Sequence, residues 1–274
     1  MAEGHSVLRW ATALRSLIGE PLVAVDAPQR WATRAAMLPG AELCRIGTHG
    51  KHLLLHLSND ITIHCHAMMY GSWQFGPPEM ALRKPEKNVR LRLRTRKREA
   101  VFFNGPVVEL LTAQELESHE KLRALGPDLL HVSFDREETW RRLQEHLERP
   151  IGDAILDQQI VAGIGNIFKS EGLFLAAIDP RTPTRLVPPS KVGRLWDILI
   201  PLMLQNARRA GPVVTLNGNL RRGGERYWVY QRSGRLCFRC NAPIAMIRQG
   251  KLKRTSFFCA NCQEIPKETA MVRD

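Results

Sequence analysis

Four cysteines near the end of this 274-residue chain have the type and spacing to hold a metal ion. They form two Cys-x2-Cys pairs, Cys237 with Cys240 and Cys259 with Cys262, and eighteen residues separate the inner two. Each x2 turn lets two thiolates converge on one ion. Four sulfur ligands close a tetrahedral shell and leave no position for water, so the ion is expected to be one structural Zn2+ per chain. Disulfides fit less well, because Cys44 and Cys65 stand in apolar sequence surroundings and nothing marks the chain as secreted. Between the pairs, Ile247 to Phe258 read as two short strands about a turn at Gly250, carrying Arg248, Lys251, Lys253 and Arg254. Such a hairpin suits an anionic partner.

Three further groupings could do chemistry. The run Ala162-Gly163-Ile164-Gly165-Asn166 breaks a helical pattern that resumes at Ile167. A glycine turn ahead of a helix can present backbone N–H groups to a phosphate, with the Asn166 amide beside them, or it can be pure packing; both readings stand. His64, Cys65, His66, Met68, Met69 and Tyr70 cluster on and after a strand. Their spacing matches no common ligand set, and strand histidines are usually satisfied inside a core, so no second metal is expected. Met68, Met69 and Tyr70, ahead of Gly71, could instead wedge into a base stack vacated by an extruded nucleotide. Lys51 follows Gly50 in a turn before an apolar strand and could reach a ligand. The Arg90, Arg92, Arg94 and Arg96 face reads as a solvated strand edge.

The elements that must position these groups change in kind along the chain. Leu8, Trp10, Ala11, Leu14, Leu17 and Ile18 recur near a 3.6 period up to Gly19, which predicts an opening helix with Ala2 and Glu3 just ahead of it. Leu53, Leu55 and Leu57, then Ile61, Ile63 and Cys65, alternate on either side of Ser58-Asn59-Asp60 and predict a hairpin. Val89 to Arg94 is the cleanest strand. Asp135 with Glu138 predicts a capping box for a helix running to Pro150, followed by a shorter helix over about 151–160. Ser190 is expected to cap a longer helix through Leu202, with a kink at Pro201 and a stop at Gly211. The charge of +13, from 40 Lys plus Arg against 27 Asp plus Glu, favours a nucleic acid as partner. Residues 221–254 hold ten basic residues and one acidic one, Glu225. No apolar run of about 18 residues could span a bilayer, and the start has no signal-peptide pattern, so a cytoplasmic protein is expected.

In this order the motifs resemble those of the bifunctional DNA glycosylases of the formamidopyrimidine-glycosylase and endonuclease VIII type. The likeness runs through Glu3-Gly4, Gly50-Lys51, His66 to Gly71 with Trp73, Leu125 to Leu129, Leu156-Asp157-Gln158, Val161 to Ile167, Glu171, and the four-cysteine segment with Arg254 to Cys259. It implies an α+β fold: an amino-terminal β-sandwich catalytic domain (1–118), a helix-two-turn-helix domain with a basic linker (119–235), a zinc-finger hairpin (236–266) and a tail (267–274). The Glu-Gly start and the Tyr70…Trp73 pattern look closer to the endonuclease VIII branch. Oxidised pyrimidines are therefore the expected bases; oxidised purines stay open because the recognition loop, between about 211 and 230, does not align.

The resemblance also implies roles. The main-chain nitrogen at position 2 would attack the sugar, Glu3 would serve as acid and base, and Lys51 and Arg254 would bind phosphates, Arg254 also serving the second elimination. Asn166 and His66 would contact DNA, and Met69 and Tyr70 would fill the gap. The implied partner is damaged double-stranded DNA, bound by a monomer away from any membrane and, in a bacterium, at the nucleoid. One position departs from the family: Ala2 stands where proline is usual. Once methionine is removed, Ala2 would still present an α-amine with an intrinsic pKa of about 7.7–8.0. The departure leaves three readings: a natural variant with a primary-amine nucleophile, an engineered replacement made to trap a complex, or a protein that binds damage without cutting it.

Overall fold

The computed structural model describes residues 2–216 and 224–266; Met1, part of the expected recognition loop (217–223) and the tail (267–274) lie outside them. The chain divides into two compact units, Met1–Ala124 and Leu125–Asp274.

The first unit opens with helix α1 (Gly4–Leu14), continued by a single 3-10 turn to Leu17. Strand β1 (Ala24–Asp26) and the short helix α2 (Ala32–Ala35) follow. Two four-stranded antiparallel sheets come next, one in the order β1-β6-β7-β5 and the other β2-β3-β4-β8. Their strands are β2 (Leu43–His49), β3 (His52–Leu57), β4 (Thr62–His66), β5 (Ser72–Gly76), β6 (Val89–Arg94), β7 (Glu99–Phe103) and β8 (Val107–Leu111). Two short helices, α3 (Ala113–Glu117) and α4 (Glu120–Arg123), end the unit. The period-two pattern explains the packing. Leu53, Leu55, Leu57 and Ile63 from one sheet meet Leu91, Leu93, Ala100 and Phe102 from the other in one core, which Val7, Ala11 and Leu14 of α1 join.

The arginine strand is more engaged than a solvated edge. Arg94 reaches the buried Glu99 at 3.0 Å, and Arg92 pairs with Glu86 at 2.6 Å. Cys44 also departs from expectation. A register shift between Leu43 and Arg45 bulges it out of β2, and it lies exposed instead of in apolar surroundings.

The second unit is helical, with a terminal hairpin. Its elements are α5 (Arg136–Gln144), α6 (Ile151–Ala154), α7 (Asn166–Leu175), α8 (Pro189–Arg208), β9 (Ala245–Gln249) and β10 (Arg254–Phe258). Asp135 does cap α5, accepting the Glu138 amide at 2.8 Å, but the Glu138 carboxylate turns to Arg141 and Arg142 and no reciprocal box forms. The helix stops at Gln144, short of Pro150, because Leu147 is exposed and no core contact extends it. Helix α6 is one turn, not the ten residues expected. Arg149 clamps Asp153 and Asp157, and the Asp157 carboxylate accepts the Gln159 amide in an Asx turn that diverts the chain. Helix α8 begins at Pro189, one residue before the expected cap Ser190, since proline is preorganised for the first helical position. Phe168, Leu173, Leu195, Trp196 and Leu199 form its core.

Candidate active site and nucleic-acid interface

The start of the chain is built into the first unit. Ala2 packs on the sandwich core, and Glu3 is 0% exposed in the N-cap position of α1, where its carbonyl accepts the amides of Ser6 and Val7. A carboxylate held at a helix N-terminus faces the positive end of the helix dipole, next to the residue whose nitrogen the sequence nominates as nucleophile. His5 is buried too, and burial, followed by the charge of Arg9, pulls its pKa down to about 3, so it is a neutral ring.

Lys51 lies in the β2–β3 turn, where Gly50 takes the left-handed conformation at φ 57°. Register places His52, its neighbour, opposite His66 at the end of β4, so Lys51 and His66 belong to one corner of one sheet. From His66 the chain crosses to the other sheet through Ala67–Gly71. Met68, Met69 and Tyr70 stand out from this turn at 51%, 38% and 78% exposure. An exposed apolar triplet on a tight turn has the form of a wedge. The turn closes through the Gly71 amide on the Ala67 carbonyl at 2.8 Å, and a Cβ at Gly71 would sit 2.6 Å from Ala67 backbone atoms. Gly71→Ala should therefore cost about 1–3 kcal/mol of stability in denaturant unfolding and loosen the triplet.

In the second unit, Asn166 opens α7. It is largely buried, and its Oδ1 has no hydrogen-bond partner among the described residues. The turn ahead of it is clasped by Gln158, which accepts the Gly163 amide at 3.0 Å and donates to the carbonyls of Ile164 and Leu156 at 3.1 and 2.7 Å. Gly163, at φ 106°, suits only glycine. The Leu125–Leu129 segment braces the same turn through Ala162 N–H to Pro127 and Leu129 N–H to Ala162. Arg254 begins β10, paired with Gln249 across the hairpin, and Gly250 turns the hairpin at φ 67°. Helix α7 holds this hairpin directly: Lys169, fully buried, donates to the Thr255 carbonyl at 3.1 Å, and Ser170 Oγ accepts the Phe257 amide at 3.4 Å. Asn166 and Arg254 thus ride on one body.

Glu171 does a similar task. Its buried carboxylate accepts the Thr215 hydroxyl and the amides of Trp228, Val229 and Tyr230, tying residue 215 and residues 228–230 to α7. Burial pushes its pKa up against those hydrogen bonds. Gln158, Lys169 and Glu171 carry the architecture of the site, yet sequence pattern gives them no distinct signal beyond polar residues in apolar runs.

The four cysteine sulfurs converge, their atoms lying within 4.8 Å of one another. Cys240 and Cys259 Sγ are 3.4 Å apart, and Cys237 and Cys262 Sγ are 3.9 Å apart. Tetrahedral bonds of about 2.3 Å to one ion require separations of about 3.8 Å, so this donor set fits a metal ion. The thiols are not equivalent. The Asn261 side chain, then the Ala242 amide, pulls Cys240 down to about 6, whereas burial pushes Cys259 and Cys262 up. A divalent cation is what makes joint ionisation of four such neighbours favourable.

A buried carboxylate at Glu3 in the first unit and a cysteine-held basic hairpin in the second, in a chain of net charge +13, suit a protein that handles a polyanion such as DNA. The profile of the formamidopyrimidine-DNA glycosylase N-terminal domain matches residues 1–106, and that of the formamidopyrimidine-DNA glycosylase H2TH domain matches residues 125–216. The chain belongs to this family of DNA-repair glycosylases with lyase activity. A probable endonuclease 8 2 of Streptomyces coelicolor is 34% identical over 97% of this chain and 95% of its own length. Endonuclease 8 1 of Mycobacterium tuberculosis is 32% identical over 96% of this chain and all of its own. The Lactococcus lactis Fpg structure in complex with abasic-site DNA shares the fold with a TM-score of 0.79 and 23% identity, covering 96% of this chain and 100% of that one. Among the described residues no helix is long and apolar enough to cross a membrane.

Proposed function

We propose that this protein is a monomeric base-excision-repair glycosylase of the endonuclease VIII branch, removing oxidised bases, pyrimidines foremost, from double-stranded DNA and cutting the strand at the resulting site. The observation that carries this reading is Glu3, fully buried beside Ala2 in the unit that also holds Lys51, His66 and the wedge.

The chemistry follows from those groups. A flipped nucleotide leaves a gap, and Met68, Met69 and Tyr70 fill it to offset the lost stacking. The neutral amine of Ala2 attacks the sugar C1′, and the bond to the base breaks with its electron pair leaving on the base. Expulsion of the ring oxygen, protonated by Glu3, then gives an imine between C1′ and the nitrogen. The imine acidifies the C2′ proton; its removal expels the 3′ phosphate, a second elimination expels the 5′ phosphate, and hydrolysis returns the free amine. A primary amine supports every step, so Ala2 can replace the family's proline. Lys51 and His66 hold phosphates from the first unit, Asn166 and Arg254 from the second. Zn2+ on Cys237, Cys240, Cys259 and Cys262 serves the fold of the hairpin and takes no part in bond breaking.

Borohydride reduction during turnover of duplex DNA containing an oxidised pyrimidine should trap a covalent adduct that mass spectrometry places on Ala2. Tight binding of abasic-site duplex with no adduct and no base release over hours would replace this reading with that of a damage-binding protein.

A further inference from the structure

The outer face of the β2-β3-β4-β8 sheet carries a chain of polar rings that the mechanism above leaves unused. His52 on β3 lies opposite His66, and His64 on β4 lies opposite Glu109 on β8. His64 Nδ1 is 2.7 Å from Glu109 Oε2, and His119 Nε2, just ahead of α4, is 3.1 Å from the same oxygen. His52 Nδ1 is 2.8 Å from His64 Nε2. The His52 ring packs against His66, centroids 4.4 Å apart.

These contacts fix where the protons sit. His119 Nδ1 accepts the Leu122 amide at 3.3 Å, so its proton is on Nε2 and goes to Glu109. His64 then donates to Glu109 from Nδ1 and accepts on Nε2, and His52 donates from Nδ1. His66 Nδ1 accepts the Met68 amide at 3.2 Å, so the neutral His66 ring carries its proton on Nε2. Every ring nitrogen in the His119–Glu109–His64 stretch is used, and His119 Nε2 has no lone pair to offer a cation.

We infer that His119, Glu109, His64 and His52 form a positioning chain for His66, holding it as a neutral Nε2–H donor that grips a DNA phosphate while its other nitrogen anchors the start of the wedge turn. This rests on the reading of His66 as a phosphate contact. The electrostatics agree. Burial, then Lys51 and His64, pulls His66 down to about 4, and burial, then His66, His64, His49 and His119, pulls His52 down to about 2. Burial works against the charged form of Glu109, yet hydrogen bonds from His64 and His119 outweigh it and hold that carboxyl below its ordinary value. His66 therefore supplies direction, and Lys51 supplies charge.

The test uses the full-length protein with 15N-labelled histidine rings, as wild type, His52→Gln and His64→Phe, the last keeping a buried ring while removing both its hydrogen bonds. In wild type, His66 should show the Nε2–H tautomer and no titration between about pH 5.5 and 8. In both variants the His66 ring, no longer packed against a fixed His52, should show a broadened mixture of tautomers, while its titration stays below its ordinary value because burial and Lys51 are unchanged. Affinity for abasic-site duplex at pH 8 should fall about three- to tenfold, the value of one directional hydrogen bond, with the salt dependence unchanged. Lys51→Ala should instead lower the slope of log affinity against log salt by about 0.9. Unchanged His66 spectra in both chain variants would overturn the inference with the phosphate reading intact. Unchanged DNA affinity in His66→Ala would remove the phosphate reading itself, whatever the spectra show.

Discussion

Glu3→Gln should slow base release and strand cutting by about 10²–10⁴-fold, the usual worth of a positioned acid/base, while binding of abasic-site duplex stays near the wild-type level. The backbone cap survives the change. The N-cap hydrogen bonds at this position are made by the Glu3 carbonyl, which glutamine retains, and its side chain makes no cap bond to α1. The substitution removes one negative charge at a helix N-terminus while keeping the shape of the side chain. A purely structural Glu3 would therefore show a small change in thermal midpoint and a rate within a fewfold of wild type. That second outcome, measured by single-turnover cleavage, would remove Glu3 from the chemistry and leave the amine of Ala2 without its proton donor.

Cys237→Ser and Arg254→Ala should separate the support of the hairpin from its use. Cys237 and Cys259 are fully buried in a cluster with Phe174, Leu216, Trp228, Val229 and Ile244, so opening the cysteine site dismantles that cluster. Structural zinc contributes about 10–16 kcal/mol in small fingers, far more than this cluster can hold by itself. Cys237→Ser should lose the metal in atomic absorption, shift Trp228 fluorescence to the red and abolish DNA binding. Arg254→Ala should keep one metal per chain and an unchanged melt, yet bind abasic-site duplex about tenfold more weakly with a salt slope reduced by about 0.9. Loss of metal in both variants would show that Arg254 belongs to the support.

Periodicity and spacing reach the structure to different depths. Leu53, Leu55 and Leu57 alternate into a core because a strand has period two, and that reading needs no partner to be correct. The cysteine spacing likewise announces its geometry, since ligands that share an ion constrain their own separation. Helix ends were less legible. The α6 pattern runs on in sequence, but Arg149 reaches across two turns to Asp153 and Asp157 and stops it, an interaction that spacing alone does not rank. The histidine chain was the least visible. His52 and His64 are separated by a hairpin, Glu109 enters from β8 and His119 from the cap of α4 beyond α3, so only strand register and the tertiary contact to Glu109 show that four scattered polar residues meet. The triplet shows a middle case: Met68, Met69 and Tyr70 are apparent as apolar residues at a strand end, while the tightness with which Gly71 closes the turn is seen only in the structure.

The buried bonds from Lys169 and Ser170 to β10 have a mechanical consequence. Because α7 and the hairpin cannot slide past each other, the distance between Asn166 and Arg254 is a fixed gauge. With Asn166 and Arg254 in the phosphate-binding roles proposed for them, DNA would have to present two phosphates at that interval or forgo one of the contacts. An intact duplex is stiff, but a strand weakened at a damaged nucleotide yields at little cost. A rigid gauge of this kind would select its target by how readily the backbone gives way, before any atom of the base has been read.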